Sequence, residues 1–464
     1  MPVSETHPLY DEFKTEWLRN QDAIDGERKV KKRGPAYLPI PDPDVNNEAS
    51  KRYQSYKNRA VYTNFTGRTV SGLTGLVFRE DPIIELPAQL EYMRDNADGN
   101  GLTLISMAYD AVRQAQAKGR YIVVTSVGGE QEIEELSPDT VPSKKSSAQV
   151  QAKIVSYFAE NAINWDDNGN ALQMLNLKEI VLDRGSDGFG SEEVTKNLVY
   201  RVTDSGVTVQ HYKEDSAGLV FDIKYSDGSM AEKIPADIIG AVDNNPYPDQ
   251  PPISDIAALN VAHYRNSADY EEGVYITGQP TLHVNSGDTS ARDFNDLNPN
   301  GIQLGSSRAV VTQKGDMKLV QAESNSAANE AMVRKEEQMV MLGAQIIQPR
   351  SGVETAEAAK IRASAETSIL TTITANVSQA FENRLRDAAL FMGANPDEVK
   401  FKLSDNFYPE DADPQVLMAM FQGSDRGAWA IQDVRNYGRR SGLVDPERTD
   451  EIIDSEIGEQ SPLL

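Results

Sequence analysis

The chain has 464 residues, room for about three ordinary domains and a sizeable core. Lys and Arg total 46 against 71 Asp and Glu, a formal charge of −25, which argues against a protein whose main task is gripping nucleic acid and leaves any DNA contact loose or local. There is no cysteine, so disulfides, thiolate nucleophiles, Fe–S clusters and cysteine zinc sites are excluded, and four histidines leave few carriers for imidazole chemistry.

The opening residues carry Glu5, Asp11 and Glu12 and lack the apolar core of a secretory signal. No window approaches the roughly 18 apolar residues of a membrane span. Both features predict a soluble protein, used in a cytoplasm or assembled into a particle there. Residues 1–46 read as a short helix around Leu9 to Asn20, a basic run from Arg28 to Arg33, and then Pro35, Pro39, Pro41 and Pro43. The prolines fix φ and predict an extended arm.

From Asn47 the recurrence of Tyr53, Tyr56, Ala60, Phe65, Val70, Leu73 and Val77 predicts helix up to Asp81-Pro82. Helical windows at 87–95 and 102–118 lead into a strand from Tyr121 to Val127. The period then changes to two. Residues 153–165, a turn at Asp167-Asn168-Gly169, and residues 171–183 predict a β-hairpin, because Asn-Gly tolerates the positive φ of a tight turn. Strands at 198–203, 207–212, 218–225 and 234–242 extend a mostly antiparallel sheet.

Pro246, Pro248, Pro251 and Pro252 punctuate the chain before a helix at 253–270, with Ser254 as its N-cap and Ile256, Leu259, His263 and Tyr264 on one face. Residues 273–320 revert to short strands and turns, and helix resumes from Ser324. The clearest periodicity is Ile361, Ala365, Ile369, Ile373, Val377, Phe381, Leu385, Ala388 and Met392, a stripe about 48 Å long that one subunit is not expected to bury alone. The acidic remainder from Pro396 has helical pieces at 413–421 and 428–440. The fold class is α+β, with long helices and a mostly antiparallel sheet.

Catalytic signals are weak. None of His7, His211, His263 and His283 sits beside a nucleophile motif. Gly185-Ser186-Asp187-Gly188-Phe189-Gly190 lacks the Lys-Ser/Thr of a P-loop and reads as a hairpin tip. Asp166-Asp167-Asn168-Gly169-Asn170 starts like a calcium loop, but its twelfth position is Leu177 where a bidentate Glu is required. Acidic pairs such as Asp411 and Asp413 read as solvated surface in so acidic a chain. No catalytic residue, cofactor or metal site is expected. Arg28, Lys29, Lys31, Lys32 and Arg33, and the trio Arg435, Arg439 and Arg440, read by default as solvated. The loop Gln345 to Thr355, with Gln348, Arg350 and Ser351, suits projection into a channel.

The order of elements, and the strings Tyr53-Gln-Ser-Tyr56-Lys-Asn-Arg59-Ala60-Val-Tyr62, Arg68-Thr69-Val70-Ser-Gly72-Leu73-Thr-Gly75-Leu-Val77-Phe78-Arg79 and Leu259-Asn260-Val-Ala-His263-Tyr264-Arg265-Asn-Ser267-Ala268-Asp269-Tyr270, carry a likeness. From about residue 50 to 395 the chain resembles portal proteins of tailed double-stranded DNA bacteriophages, in the short portal-like family. The resemblance implies a portal fold with wing, helical stem, clip and crown, and a ring, usually of twelve subunits, at one capsid vertex through which DNA is packaged and ejected. It implies an N-terminal arm at 1–46, a wing at 47–252, stem helices at 253–272 and 321–343, a clip at 273–320, a channel loop at 344–356, a long wing helix at 357–394 and a crown at 395–464. Leu259, His263 and Tyr264 become stem packing residues, and Gln348, Arg350 and Ser351 DNA-channel loop residues. Implied partners are further copies of the chain, the major capsid protein, the terminase motor, head-tail adaptor or tail proteins, and duplex DNA passing non-specifically, with no membrane. The implied place is the virion. Another virion ring or adaptor protein is the alternative, and a metal-dependent hydrolase the third reading.

Overall fold

The computed structural model describes residues 2–41, 50–127, 151–169, 171–184, 191–278, 281–285, 287–288, 290–297, 299, 315–320, 326–343, 356–405, 407, 414–440, 443–444 and 448–459. In chain order the elements are α1 Pro8–Asp25, α2 Glu27–Lys32, α3 Lys51–Arg59, α4 Phe65–Val77, β1 Ile83–Glu85, α5 Leu104–Lys118, β2 Arg120–Val127, β3 Ala152–Phe158, β4 Ala162–Asp167, β5 Leu172–Arg184, β6 Ser191–Thr203, β7 Gly206–Lys213, β8 Ser216–Asp222 and β9 Ala236–Gly240. There follow α6 Ser254–Thr277, β10 Thr281–Asn285, α7 Ala291–Leu297, β11 Asp316–Val320, α8 Ala327–Met341, α9 Ala356–Met392, β12 Lys400–Lys402, α10 Pro414–Asp425, α11 Ile431–Arg440 and α12 Asp450–Glu459.

The architecture is α+β, with long helices and antiparallel sheets. β4 to β8 form a five-stranded meander, and β3, β2 and β9 form a second sheet with β2 central. The expected hairpin from residue 153 is split between these two sheets. A 3-10 turn at Ala159–Asn161 ends β3, and β4 starts the neighbouring sheet. The Asp167-Asn168-Gly169 turn does join β4 to β5, with Gly169 at φ +85° as such a turn requires. On either side of the glycine string, β5 and β6 pair from Arg184 and Ser191 inward; the string itself lies outside the described residues.

One large core binds these layers. Leu104, Met107, Ala111 and Val112 of α5 pack with Ile122 and Val124 of β2, Ile154 of β3 and Ile239 of β9. Gly119 turns α5 into β2 at φ +61°, and a Cβ there would collide with the Asp249 carbonyl. The stripe of α9 seals the same core: Ile373, Val377, Phe381, Leu385 and Ala388 are wholly buried within the one chain. From Ile373 to Ala388 this corrects the expectation that neighbouring subunits must cover the stripe, because α5 and β12 together with β2 and β9 supply the wall. Among the described residues of the stripe, Ile369 is bare, at 50 % exposure.

The N-terminal arm is also corrected. α1 is docked, with Trp17 at 0 % exposure and Tyr10 and Ile24 buried. His7 accepts from the Leu9 amide as N-cap, and its ring stacks on Trp165 at 4.0 Å. Ahead of it the chain straps the five-stranded sheet: Asn176 donates to the Val3 carbonyl at 2.7 Å and Asn164 to that of Glu5 at 3.1 Å. Pro35 opens no extended run, since Gly34–Ala36 is a 3-10 turn whose fixed φ suits its first positions. The predicted helix from Asn47 is two, broken at residues 60–64, where Asn64 caps α4 by accepting from the Gly67 amide at 2.7 Å.

Two of the three basic residues near the C-terminus, Arg435 and Arg439, are committed to ion pairs. Arg435 pairs with Asp454 at 2.5 Å and Arg439 with Asp450, tying α11 to α12. Asp411 and Asp413 lie outside the described residues. Among the described residues no helix is long and apolar enough to cross a membrane, and no group of three acidic or histidine side chains could hold a metal ion.

Candidate functional site: a helical hairpin with one bare half

α6 and α8 form an antiparallel pair. His263 Nε2 lies 3.0 Å from Glu336 Oε1, and one turn further along α6 Lys335 donates to Asn266 at 2.5 Å. Between the two helices the chain makes the strand pair β10–β11, in register from Thr281↔Val320 to Asn285↔Asp316, with α7 in the connection. A helical hairpin carrying a small strand pair is the result.

The proximal half of α6 is sealed by its own chain. Asn260, fully buried, is the hub: its Oδ1 accepts from Tyr62 Oη at 2.8 Å and from the Thr66 amide and hydroxyl at 3.1 and 2.9 Å, while its Nδ2 donates to the Thr63 carbonyl at 2.8 Å. One carboxamide thus satisfies donors on two other segments, which positions α4 against the stem. Ser267 accepts from the Val61 amide at 2.9 Å. Tyr56 donates to Asp269 at 2.6 Å, and burial followed by that carboxylate pushes the phenol pKa well above its ordinary value. Met339 of α8 is buried with Ile253, Ile256 and Val70.

Ser254 is the first helical residue, not the N-cap. Its hydroxyl is committed elsewhere, donating to Glu16 and accepting from Asn20 at 2.9 Å, and so fastens the stem base to α1. Of Leu259, His263 and Tyr264, Leu259 packs with Ile253, Ile256 and Met339, and Tyr264 with Tyr53, Tyr56 and Tyr62. His263 and Tyr264 are buried, at 4 % and 1 % exposure, and Leu259 is half-buried. His263 meets Phe65 edge-on at 5.9 Å and Tyr264 meets Tyr62 at 6.1 Å. Among the described residues the buried Tyr264 hydroxyl has no hydrogen-bond partner. His211 and Phe221 meet edge-on within the five-stranded sheet, and His283 lies on β10. Gln348, Arg350 and Ser351 lie outside the described residues.

Beyond Ala268 no residue of α6 is buried. Val274, Tyr275 and Ile276 are 48, 47 and 51 % exposed, and Val333 on α8 is 46 % exposed. Three consecutive apolar residues cover more than half the circumference of a helix, so no single flank in this chain could hide them. Two side chains of α3 reach this half: Tyr56 through its bond to Asp269, and Arg59, which pairs with Glu272 and lies over the Tyr275 ring, 4.2 Å from its centroid. Sequence reasoning missed the exposed run because the helix was ended at Tyr270; the Val-Tyr-Ile string was the available signal.

Residues 252–392, from the stem base to the end of α9, match the model of a domain of unknown function, DUF4055. No curated protein sequence matches the chain. Among solved structures, a chain from the virion of a native gene transfer agent particle is similar at 13% identity and a TM-score of 0.41, over 86% of this chain and 94% of that one. Another, from the neck of an empty gene transfer agent particle computed with C6 symmetry, is similar at 12% identity and a TM-score of 0.42, over 84% and 94%. At such scores the overlap is loose, and nothing about function follows from it.

Proposed function

We propose that the chain is a portal, the head-to-tail connector of a phage-like particle, which assembles into a ring through which duplex DNA is packaged and ejected. The observation that carries this reading is the α6–α8 hairpin, sealed by its own chain at the base and with the apolar run Val274, Tyr275 and Ile276 bare toward its far end. Burying a side chain such as Val274 or Ile276 is worth about 1.5–3 kcal/mol, and a patch of this kind marks an interface. Heterologous contacts close into a ring when the rotation fits. The resemblance of the strings around Tyr53, Arg68 and Leu259 to phage portal proteins gives the ring its identity.

The reading assigns no catalysis to the chain; the packaging ATPase would be a separate protein. A net charge of −25 per subunit suits a conduit, since an acidic lining repels phosphate and lets DNA slide. The loop 344–356 between α8 and α9 would face that channel. Particles assembled without this chain should form shells empty of DNA, and Arg350→Ala should alter DNA packaging or retention while rings persist. Particles that fill normally without the chain would refute the reading; loss of the ring in Arg350→Ala would remove the loop from the channel.

A further inference from the structure

The basic run at 28–33 takes no part in the stem hairpin, but the fold turns it into a surface. α2 and α3 direct their apolar sides onto one small core, where Val30, Tyr53 and Tyr56 are buried with Ala257, Tyr264 and Ala268 of α6. Lys31 Nζ donates to the Asn58 carbonyl at 3.1 Å and holds the two helices side by side. What faces outward is almost wholly cationic: Arg28, Lys29 and Lys32 on α2, and Lys51 and Arg52 on α3, are all exposed.

The contrast with the rest of the chain is large. α2 and α3 together carry eight Lys and Arg against one Glu. Over residues 27–59 the count is nine against four, and over the remainder of the chain 37 against 67. The fold uses part of this charge, pairing Lys31 with Glu27 at 2.8 Å, Arg33 with Asp22 at 2.5 Å and Arg59 with Glu272, and Arg52 is also engaged.

The composition of the face distinguishes its partner. Protein interfaces have apolar, aromatic centres and are depleted in lysine. The other exposed residues of these two helices are Glu27, Ser55 and Asn58, with no apolar side chain among them. Tyr53 and Tyr56 are buried, so no aromatic ring is offered for base stacking. Clustered Lys and Arg with small neutral donors, on a rigid helical support, fit phosphate oxygens. We propose that the α2–α3 face holds the phosphate backbone of duplex nucleic acid without regard to sequence, at a fixed place outside the α6–α8 seam. The proposal does not depend on ring formation.

The test is fluorescence anisotropy of a labelled mixed-sequence duplex of roughly 30 base pairs, titrated with the full chain from about 50 to 200 mM salt. Five cations in contact, Arg28, Lys29, Lys32, Lys51 and Lys57, predict a slope of log affinity against log salt of about −4.5. The triple variant Arg28→Glu, Lys29→Glu, Lys32→Glu should weaken binding at least about tenfold and flatten the slope by about 3. A second variant on the other helix, Lys51→Glu with Lys57→Glu, should act in the same direction, and circular dichroism should show both variants folded. A charge-matched control, Lys224→Glu, Lys318→Glu, Lys402→Glu, should stay within about twofold of the unmodified chain. Absence of duplex binding at the lowest salt, or equal loss in the control, overturns the proposal. So does capture of polyglutamate in place of duplex, which would make the partner an acidic protein. Imaging the same variants separates the two readings, because lost rings with retained duplex binding fault the ring and not the face.

Discussion

The two halves of α6 carry apolar residues to opposite ends. From Ser254 to Ala268 the helix meets α1, α3, α4 and α8, and Asn260 is fully hydrogen-bonded to the segment before α4. From Asp269 onward the same helix continues for about two and a half turns with Val274, Tyr275 and Ile276 in the open. Three adjacent apolar side chains in the open are covered when another surface meets them. On the proposed reading, the sealed half belongs to the single subunit and the open half to the ring.

Breaking the open half should have the largest effect. Val274→Asp with Ile276→Asp should abolish ring formation, as mass photometry would report, while moving the thermal stability of the single chain by no more than about 0.5 kcal/mol. The sealed half should respond the other way round. Asn260→Ala leaves the Thr66 amide and the Thr63 carbonyl without their buried partner and should cost about 3 kcal/mol in chemical denaturation. Arg59→Ala removes the tie from α3 to the open half; its pair with Glu272 is about a quarter exposed, so the loss should be only about 1 kcal/mol. Tyr264→Phe deletes a buried hydroxyl that has no partner, and stability should be unchanged or raised by up to about 1 kcal/mol. A clear loss on that last substitution would mean that the hydroxyl is bonded in the assembled state.

The elements that could be read from the sequence were those with strong local punctuation. The proline cluster before Ile253 marked the start of the stem, and the long run of period four to Met392 marked α9. Elements decided by distant partners were misread. α1 reads from sequence as part of an extended arm because nothing near Trp17 in the chain announces that α4, α5 and α6 will pack against α1. The break between β3 and β4 falls at Ala159-Glu160-Asn161, which contains neither proline nor glycine. The stem residues His263 and Tyr264 were legible from helical spacing, whereas Asn260 as a hub was not, since its four bonds reach residues nearly two hundred positions away. Ser254 had the sequence of a cap, but Glu16 and Asn20 claim its hydroxyl.

The account stands most directly on whether the bare stem is covered by copies of the same chain. Negative-stain imaging of the purified full-length protein, with its mass measured in solution, decides this. The account predicts rings with a central hole and a mass near twelve subunits; a monodisperse monomer across several salt conditions would contradict it.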